Sequence, residues 1–370
     1  MNKKDLLRLK KNMTGIDLKF LVMVYALLAF GLIMVLSASS PIAYAEENDS
    51  FFYFKKQLLW AVIGTGGLLF MANFDYRKLK KLAWPLYILN IVILLLVLVA
   101  GSESNGAKRW LQFGGFRFQP TELTKIIIIV FYAALLSETY KYIGKIRMLL
   151  IYAVFLGITA VLIMLQPHMS CTILIIATVG IMLFAAGLKW WHIFTLGIFA
   201  GAGAFFLAMT SDYRRARMLT FLNPFTDIQG DGWQIVQSLY AIGSGGIFGA
   251  GLGQSRQKYM NIPEPQNDFI FAIIAEELGL LGCILVIVMF AYLIYRGIKI
   301  AVKAPDLFGK ILVIGIIGLV AIQAVINIAV VTSTMPVTGM PLPFFSYGGT
   351  ALAVTMAEMG IVLNVSKHSE

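Results

Sequence analysis

The sequence predicts an all-α, polytopic membrane protein with ten transmembrane helices. Of its 370 residues, 59% are hydrophobic and only 13% are charged, whereas a soluble domain carries about a quarter charged residues. The mean hydropathy is +0.81, and several apolar runs reach the roughly 20 residues that a helix needs to cross a bilayer. We therefore treat residues 1–370 as one transmembrane domain, because no soluble fold fits this composition.

Charged residues between the apolar runs predict the orientation of the spans. The tail 1–16 and the connections after even-numbered spans are basic, whereas the first connection contains Glu46, Glu47 and Asp49. Positive charge favours the cytoplasmic side, so both termini are predicted to be cytoplasmic. A large extracytoplasmic loop, 210–267, then lies between helices 7 and 8. The ten predicted spans are 17–38, 56–73, 83–101, 120–138, 147–166, 170–187, 191–209, 268–295, 308–333 and 344–365.

Charge and cysteine content exclude several other classes of protein. The net charge of +11 could suggest nucleic acid, but the basic residues lie at the ends of apolar segments, as topology signals and contacts with anionic lipid do. Nucleic-acid binding is therefore not predicted. Cys171 and Cys283 both fall in apolar runs, and the three histidines have no paired spacing. The sequence predicts neither a disulfide nor a zinc site.

The eighth predicted span opens at Asp268 and carries the adjacent Glu276 and Glu277. On a helix that starts at Asp268, Glu276 would lie some 80° around the axis and about 12 Å deeper. Asp268 is either an N-cap, with the two glutamates as a buried structural pair, or a general base at the outer surface with a glutamate as support. The face of Asp268 also carries small residues that would admit another backbone or a substrate: Ala272, Ala275 and Gly279.

Two outer segments carry cations that could grip a lipid head group. The first contains Lys108, Arg109 and Trp110 and leads to Glu122 and Lys125, whose i,i+3 spacing fits a local ion pair. The second lies in the large loop, where three arginines are unexpected because positive charge is enriched in cytoplasmic connections. Their planar guanidinium groups suit diphosphate recognition, although a solvated face or lipid anchoring is equally compatible with them: Arg214, Arg215 and Arg217.

The remaining polar features carry weaker predictions. The glycine-rich run 243–253 is not followed by Lys-Ser/Thr, so it predicts a tight, partly immersed loop packed against protein and not a nucleotide site. Gln323 and Asn327, four residues apart in the ninth span, are more typical of interhelical hydrogen bonding than of catalysis. Glu358 in the tenth span is a candidate pocket residue.

Taken together, these motifs resemble the SEDS family, the RodA/FtsW polymerases of bacterial cell-wall synthesis, on the division and sporulation side. The stretches that carry the resemblance are NGAKRW (105–110), FQPTE (118–122), YRRAR (213–217), IVQSLYAIGSGG (235–246), GLGQSRQK (251–258), PEPQNDFIFAIIAEELG (263–279) and PVTGMPLPFFSYGG (336–349).

The resemblance implies a glycosyltransferase that polymerises lipid II, releasing undecaprenyl diphosphate, outside the bacterial cytoplasmic membrane. It also implies a class B penicillin-binding protein as partner and a divalent cation, Mg or Mn. Asp268 is then the general base of an inverting displacement. The residues expected to contact substrate are Lys108, Arg109, Trp110, Glu122, Lys125, Arg214, Arg215, Arg217, Gln254, Glu264 and Glu276. A cavity bounded by the fifth to eighth spans would accept the isoprenoid tails.

One departure from the family pattern keeps other functions open. The family usually has Gln-Pro-Asp where this chain has Gln166-Pro167-His168. Either that carboxylate is dispensable or this member is altered, and His168 could act as a substitute acid or ligand. A lipid II flippase, or a scaffold that only activates the penicillin-binding protein, are the alternative functions.

Overall fold

The computed structural model describes residues 15–104, 107–113, 116–192, 194, 195, 197, 201, 203, 221, 223–226, 230, 232–259 and 262–369. Most of these residues are helical. The helices are α1 (Leu18–Glu47), α2 (Phe52–Asn73), α3 (Tyr76–Ala100), α4 (Pro120–Thr139), α5 (Ile146–Met164), α6 (Met169–Ala185), α7 (Trp233–Gly245), α8 (Ile270–Val302), α9 (Leu307–Val331) and α10 (Gly349–Lys367), with short 3-10 turns at Tyr140–Tyr142 and Pro224–Thr226.

Nine of the ten predicted spans coincide with helices. The seventh, 191–209, lies almost entirely outside the described residues. Within the described part, seven helices are long and apolar enough to cross a membrane; α2 is less apolar, and α6 is shorter, with 17 residues. The polytopic membrane fold is therefore confirmed, and the count of ten crossings stays a prediction.

The segment between α3 and α4 departs from the all-α prediction. It forms a three-stranded antiparallel sheet from β1 (Ser102–Ser104), β2 (Ala107–Phe113) and β3 (Phe116–Phe118), in the order β1-β2-β3. Strands this short leave no long alternating pattern for the sequence to show. The sheet packs against α3 and α4 through β2.

Both ends of the described chain lie at one end of the bundle, which we call the basic end. Gly15 lies against the backbone of Lys367, and Asp17 forms an ion pair with Arg296 at the end of α8. Lys80 pairs with Glu138 at 3.4 Å. Because the basic connections gather here, the positive-inside rule predicts that this end faces the cytoplasm. The sheet lies at the opposite end, which we call the site end.

Burial differs strongly between helices and defines the centre of the bundle. In α9, 72% of the most apolar window is buried within the protein, whereas the corresponding share for α5 is 17%. α9 is therefore a central helix, and α5 presents apolar side chains outward, as expected of a helix in contact with lipid.

Candidate functional site

Asp268 lies in the turn that leads into α8 at the site end, and its side chain is partly exposed. The helix begins only at Ile270, and its N-cap residue is Phe269, whose side chain makes no capping hydrogen bond. The N-cap interpretation of Asp268 is therefore wrong. The predicted angle and depth of Glu276 relative to Asp268 assumed a helix that already contained Asp268, which α8 does not, so those two values stay predictions.

The backbone around Asp268 is held by α9 and by the loop before α10. The Asn327 Nδ2 atom donates 2.7 Å hydrogen bonds to the carbonyls of Asp268 and Met340. The Ser346 hydroxyl donates to the carbonyl of Asn267 at 2.7 Å. The position of Asp268 is thus fixed by contacts with segments far away in sequence.

Gly339 brings the loop before α10 against the Asp268 carboxylate. Its φ of +67° is a conformation that glycine adopts easily, and a Cβ there would lie 3.4 Å from Asp268 Oδ2. The neighbouring Thr338 carbonyl accepts a hydrogen bond from the hydroxyl of Ser170 on α6. The start of α6 therefore joins the same site.

Arg109 connects the sheet to the turn between α5 and α6. Its guanidinium donates to the carbonyls of Gln166, at 3.3 Å from Nε, and of Pro167. The next residue, His168, has a buried Nδ1 without a hydrogen-bond partner among the described residues. Burial and the charges of Arg109 and Lys125 lower the pKa of His168 to about 3. The imidazole is therefore neutral near pH 7, which disfavours it as a general acid.

Glu122 and Lys125 form the predicted i,i+3 ion pair, with 2.8 Å between Oε2 and Nζ. Both side chains are buried, at 9% and 6% exposure. Glu358 of α10 is also buried, interacts electrostatically with both of them, and has no hydrogen-bond partner for its Oε1 atom in the described structure. The local ion pair is confirmed, and its contact with substrate stays a prediction.

Glu276 anchors the polar loop 251–259 to α8. It accepts hydrogen bonds from the Ser255 hydroxyl and from the backbone amides of Arg256, at 2.8 Å, and Gln257. At 3% exposure it is buried, so a contact with substrate would require this loop to move.

Glu277 is also a structural carboxylate. It accepts from the Ser37 hydroxyl of α1 and pairs with Lys258 at 2.8 Å. The interpretation of Glu276 and Glu277 as a buried structural pair is thus confirmed, although their partners are in the loop and α1. No local pattern links Glu277 to Ser37 or Lys258, because both partners are remote along the chain.

The glycine-rich run packs against a break in α8. Gly279 has φ 66° and ψ −163°, which interrupts the helix. The amides of Ala250 and Gly251 donate to the carbonyls of Glu276 and Glu277, at 2.9 and 3.0 Å. A loop packed against protein was predicted, and the small-residue face of α8 admits this backbone.

The other predicted contact residues are less closely gathered. Trp110 is partly exposed on β2, whereas Gln254 and Glu264 are exposed in the loops before α8. Glu264 accepts a 2.6 Å hydrogen bond from Asn267, which places it near Asp268. The Lys108 side chain and the residues Arg214, Arg215 and Arg217 lie outside the described residues.

An apolar cavity of about 1080 Å³ lies between α5 and α6. Its lining includes Met164 and Met169, which flank the turn that carries His168, and Trp190 and Phe194 beyond α6. The predicted cavity thus exists beside the fifth and sixth spans, but none of its described lining residues belongs to α8.

The described residues include carboxylates but no preformed cluster of three side-chain ligands for the divalent cation. No three His, Cys, Asp or Glu side chains among them are grouped closely enough to hold a metal ion. A Mg or Mn ion held by one or two carboxylates and the substrate diphosphate would not need such a cluster, so the cation stays a prediction.

Comparisons with known proteins agree with this architecture. The cell cycle protein family FtsW/RodA/SpoVE matches residues 18–370. Stage V sporulation protein E of Bacillus subtilis (strain 168) is 44% identical over 359 residues, which cover 96% of this chain and 98% of that protein. A probable peptidoglycan glycosyltransferase FtsW of Trichlorobacter lovleyi is 42% identical, with coverage of 98% and 96%.

Two solved structures have the same fold. One is a chain in a study of the structural coordination of polymerization and crosslinking by a peptidoglycan synthase complex. It has a TM-score of 0.78 and 30% identity, and the match covers 95% of this chain and 97% of that chain. The other is the rod shape determining protein RodA of Thermus thermophilus, with a TM-score of 0.72, 28% identity and coverage of 96% and 98%.

Proposed function

Since the chain belongs to the FtsW/RodA/SpoVE family, it is a multi-pass membrane peptidoglycan glycosyltransferase of division or sporulation, and we propose that Asp268 is its general base. The observation that carries this proposal is the placement of the Asp268 carboxylate. It is partly exposed at the site end, precedes the N-cap residue of α8, and lies over Gly339.

The reaction requires one base and stabilisation of a leaving group. The sugar 4-hydroxyl of the acceptor attacks the anomeric carbon of the donor and loses its proton to Asp268, while undecaprenyl diphosphate departs from the opposite side with inversion. A diphosphate needs charge stabilisation more than protonation, so a single carboxylate suffices for proton transfer.

Arg109 is the described cation best placed to act on the diphosphate. Its guanidinium is oriented by the carbonyls of Gln166 and Pro167, and this turn is joined through Ser170 and Thr338 to the loop that contacts Asp268. A preorganised guanidinium suits an anionic oxygen. Arg214, Arg215 and Arg217 would supply further positive charge from the large loop.

The apolar cavity between α5 and α6 is proposed to hold isoprenoid chains of lipid II or the product. Its described lining is almost entirely apolar, and Met164 and Met169 place its edge beside the turn before α6. A long hydrocarbon chain would there exchange lipid contacts for protein contacts while the head group approaches Arg109.

A class B penicillin-binding protein is the proposed partner, and both chain termini are proposed to be cytoplasmic. The similarity to a chain of a peptidoglycan synthase complex supports the partner, and the gathering of basic connections at one end supports the orientation. A Mg or Mn ion, if bound, would neutralise the diphosphate.

The test is glycan-strand synthesis from labelled lipid II in detergent by the purified complex, with the partner's transpeptidase blocked. Asp268→Asn should abolish polymerisation while the protein keeps its thermal stability. Asp49→Asn is the matched control, because Asp49 is an exposed carboxylate paired with Lys55 at 2.8 Å, and it should retain the wild-type rate. Normal polymerisation by Asp268→Asn would remove the base assignment.

The same assay separates the alternative functions. In detergent lipid II needs no transport, so polymerisation by the wild-type complex argues against a role limited to flipping. A scaffold would yield no strands once the partner's own enzymatic activity is blocked.

A further inference from the structure

Two buried amide side chains on α9 hold the loop before α10. Gln323 and Asn327, one helical turn apart, are 6% and 1% exposed. Gln323 donates to the carbonyl of Pro341 at 3.0 Å, and Asn327 donates to the carbonyl of Met340 at 2.7 Å. Together they bind adjacent carbonyls of one loop, so they hold this loop against α9 and do not simply join two helices.

Asn327 makes one contact that Gln323 does not. Its amide nitrogen also donates to the carbonyl of Asp268 at 2.7 Å. An amide nitrogen has two protons, and here each binds a different backbone carbonyl. Since carbonyls only accept, this arrangement also fixes which side of the Asn327 amide carries nitrogen.

We propose that Asn327 is a positioning residue that sets the distance between the Asp268 carboxylate and the loop containing Gly339. This inference rests on the proposed role of Asp268 as general base. The amide joins the backbone of Asp268 directly to Met340, one residue beyond Gly339, whose Cα faces the Asp268 carboxylate. Misplacement of a catalytic group by about 1 Å can reduce the rate about 100-fold.

Other hydrogen bonds hold the residues just before Asp268, so replacing Asn327 should affect Asp268 without releasing the whole segment. The carbonyl of Gln266 accepts from the Tyr347 amide at 2.8 Å, and the carbonyl of Asn267 accepts from the Ser346 hydroxyl. These bonds remain when Asn327 is replaced, so the segment stays attached while Asp268 loses its link to α9.

The experiment compares Asn327→Leu with Gln323→Leu. Leucine has the same number and branching of side-chain heavy atoms as asparagine and one fewer than glutamine, and it suits a buried site, so no large cavity is created at either position. Both variants lose a hydrogen bond to the loop before α10, but only Asn327→Leu loses the bond to Asp268. Asn327→Ser serves as a second, polar replacement if the leucine variant fails to fold.

Two readouts are measured in the full-length complex: glycan polymerisation over a range of lipid II concentrations, and hydrogen exchange of peptides that cover 262–270. Asn327→Leu should lower kcat about 10- to 100-fold with little change in KM, and should speed exchange in 262–270. Gln323→Leu should change kcat about 3-fold or less and leave that exchange unaltered.

The outcomes separate this inference from the function on which it rests. If Asp268→Asn is inactive but Asn327→Leu behaves like Gln323→Leu in rate and exchange, the positioning role is overturned and the base assignment stands. If Asp268→Asn polymerises normally, the base assignment is overturned and the positioning role with it. If both α9 variants show the same decrease in kcat, the same increase in KM and the same decrease in thermal stability, the contact is purely structural and the inference is overturned.

Discussion

Lys258 and Glu277 form a buried ion pair of 2.8 Å, with side-chain exposures of 4% and 0%. Lys258 also donates to the carbonyl of Gly253 at 2.7 Å, and Ser37 donates to Glu277 at 2.6 Å. The pair joins the polar loop before the site to α1 and α8. The ion pair therefore stabilises the loop that leads to Asp268.

Removing one member of this pair should be strongly destabilising. Lys258→Met leaves the Glu277 charge buried without its cation, which typically costs about 3–5 kcal/mol. Thermal unfolding in detergent should show a large loss, and Lys258→Met/Glu277→Leu should recover part of it because neither charge remains.

The exposed pair Lys55–Asp49 provides the control. Its side chains are 67% and 38% exposed, and such pairs contribute little. Lys55→Met should therefore shift the melting temperature much less than Lys258→Met. Equal shifts would show that burial of the Lys258–Glu277 pair has no special role.

Close backbone approach at Gly249 gives a second prediction. Gly249 has φ +82°, and an added Cβ would lie 2.2 Å from the carbonyl oxygen of Glu277. Gly253 has the same φ but open space around it. Ala at either position pays about 1–2 kcal/mol for the left-handed conformation.

Gly249→Ala should therefore unfold at a clearly lower temperature than Gly253→Ala, because only Gly249→Ala also forces the loop away from α8. Thermal unfolding of the two single variants measures the difference. Similar melting temperatures would mean that the loop can leave α8 without loss of stability.

The membrane fold could be predicted from the sequence because the length of an apolar run is a local property. The site could be predicted only in part. Asp268 can be recognised from the sequence as a carboxylate that directly precedes an apolar run. Its surroundings, however, depend on Asn327 and Gly339, which lie 59 and 71 residues further along the chain. Contacts over such separations leave no periodic pattern.

Local backbone geometry explains the remaining errors. The helix predicted from Asp268 onward differs from α8, which starts at Ile270 and breaks at Gly279. At the break, the glycine-rich run donates amides to the carbonyls of Glu276 and Glu277 and accepts from the amides of Leu280 and Leu281. A hydropathy profile contains neither feature.

His168 predicts a pH dependence of stability. The pKa of His168 is lowered from 6.5 to about 3 in the folded protein, so the unfolded chain binds more protons between these values. Stability therefore rises with pH across this window and is lost as pH falls from 6.5 towards 3. The groups that interact with the imidazole are Arg109 on β2 and Lys125 on α4.

His168→Asn removes this titration. Melting temperatures measured between pH 4 and pH 7 should fall less steeply on acidification in the variant than in the wild type. Parallel curves for the two proteins would show that His168 titrates normally in the folded state.

Lys125 has two buried carboxylates nearby, and their variants should be non-additive. Glu122 is its ion-pair partner at 2.8 Å, whereas Glu358 interacts with it electrostatically and leaves Oε1 without a hydrogen bond in the described structure. In Glu122→Gln, ionisation of Glu358 can balance the buried ammonium, so the loss of stability should stay below the roughly 3–5 kcal/mol of a broken buried pair.

In Glu122→Gln/Glu358→Gln, no nearby carboxylate remains and the full cost of a buried cation appears. The double variant should therefore lose more stability than the sum of the single variants, with a coupling of about 0.5–3 kcal/mol. Adding Lys125→Met to the double variant should restore stability, because the uncompensated charge is then removed. Additive losses in the cycle would show that Glu358 does not compensate Lys125.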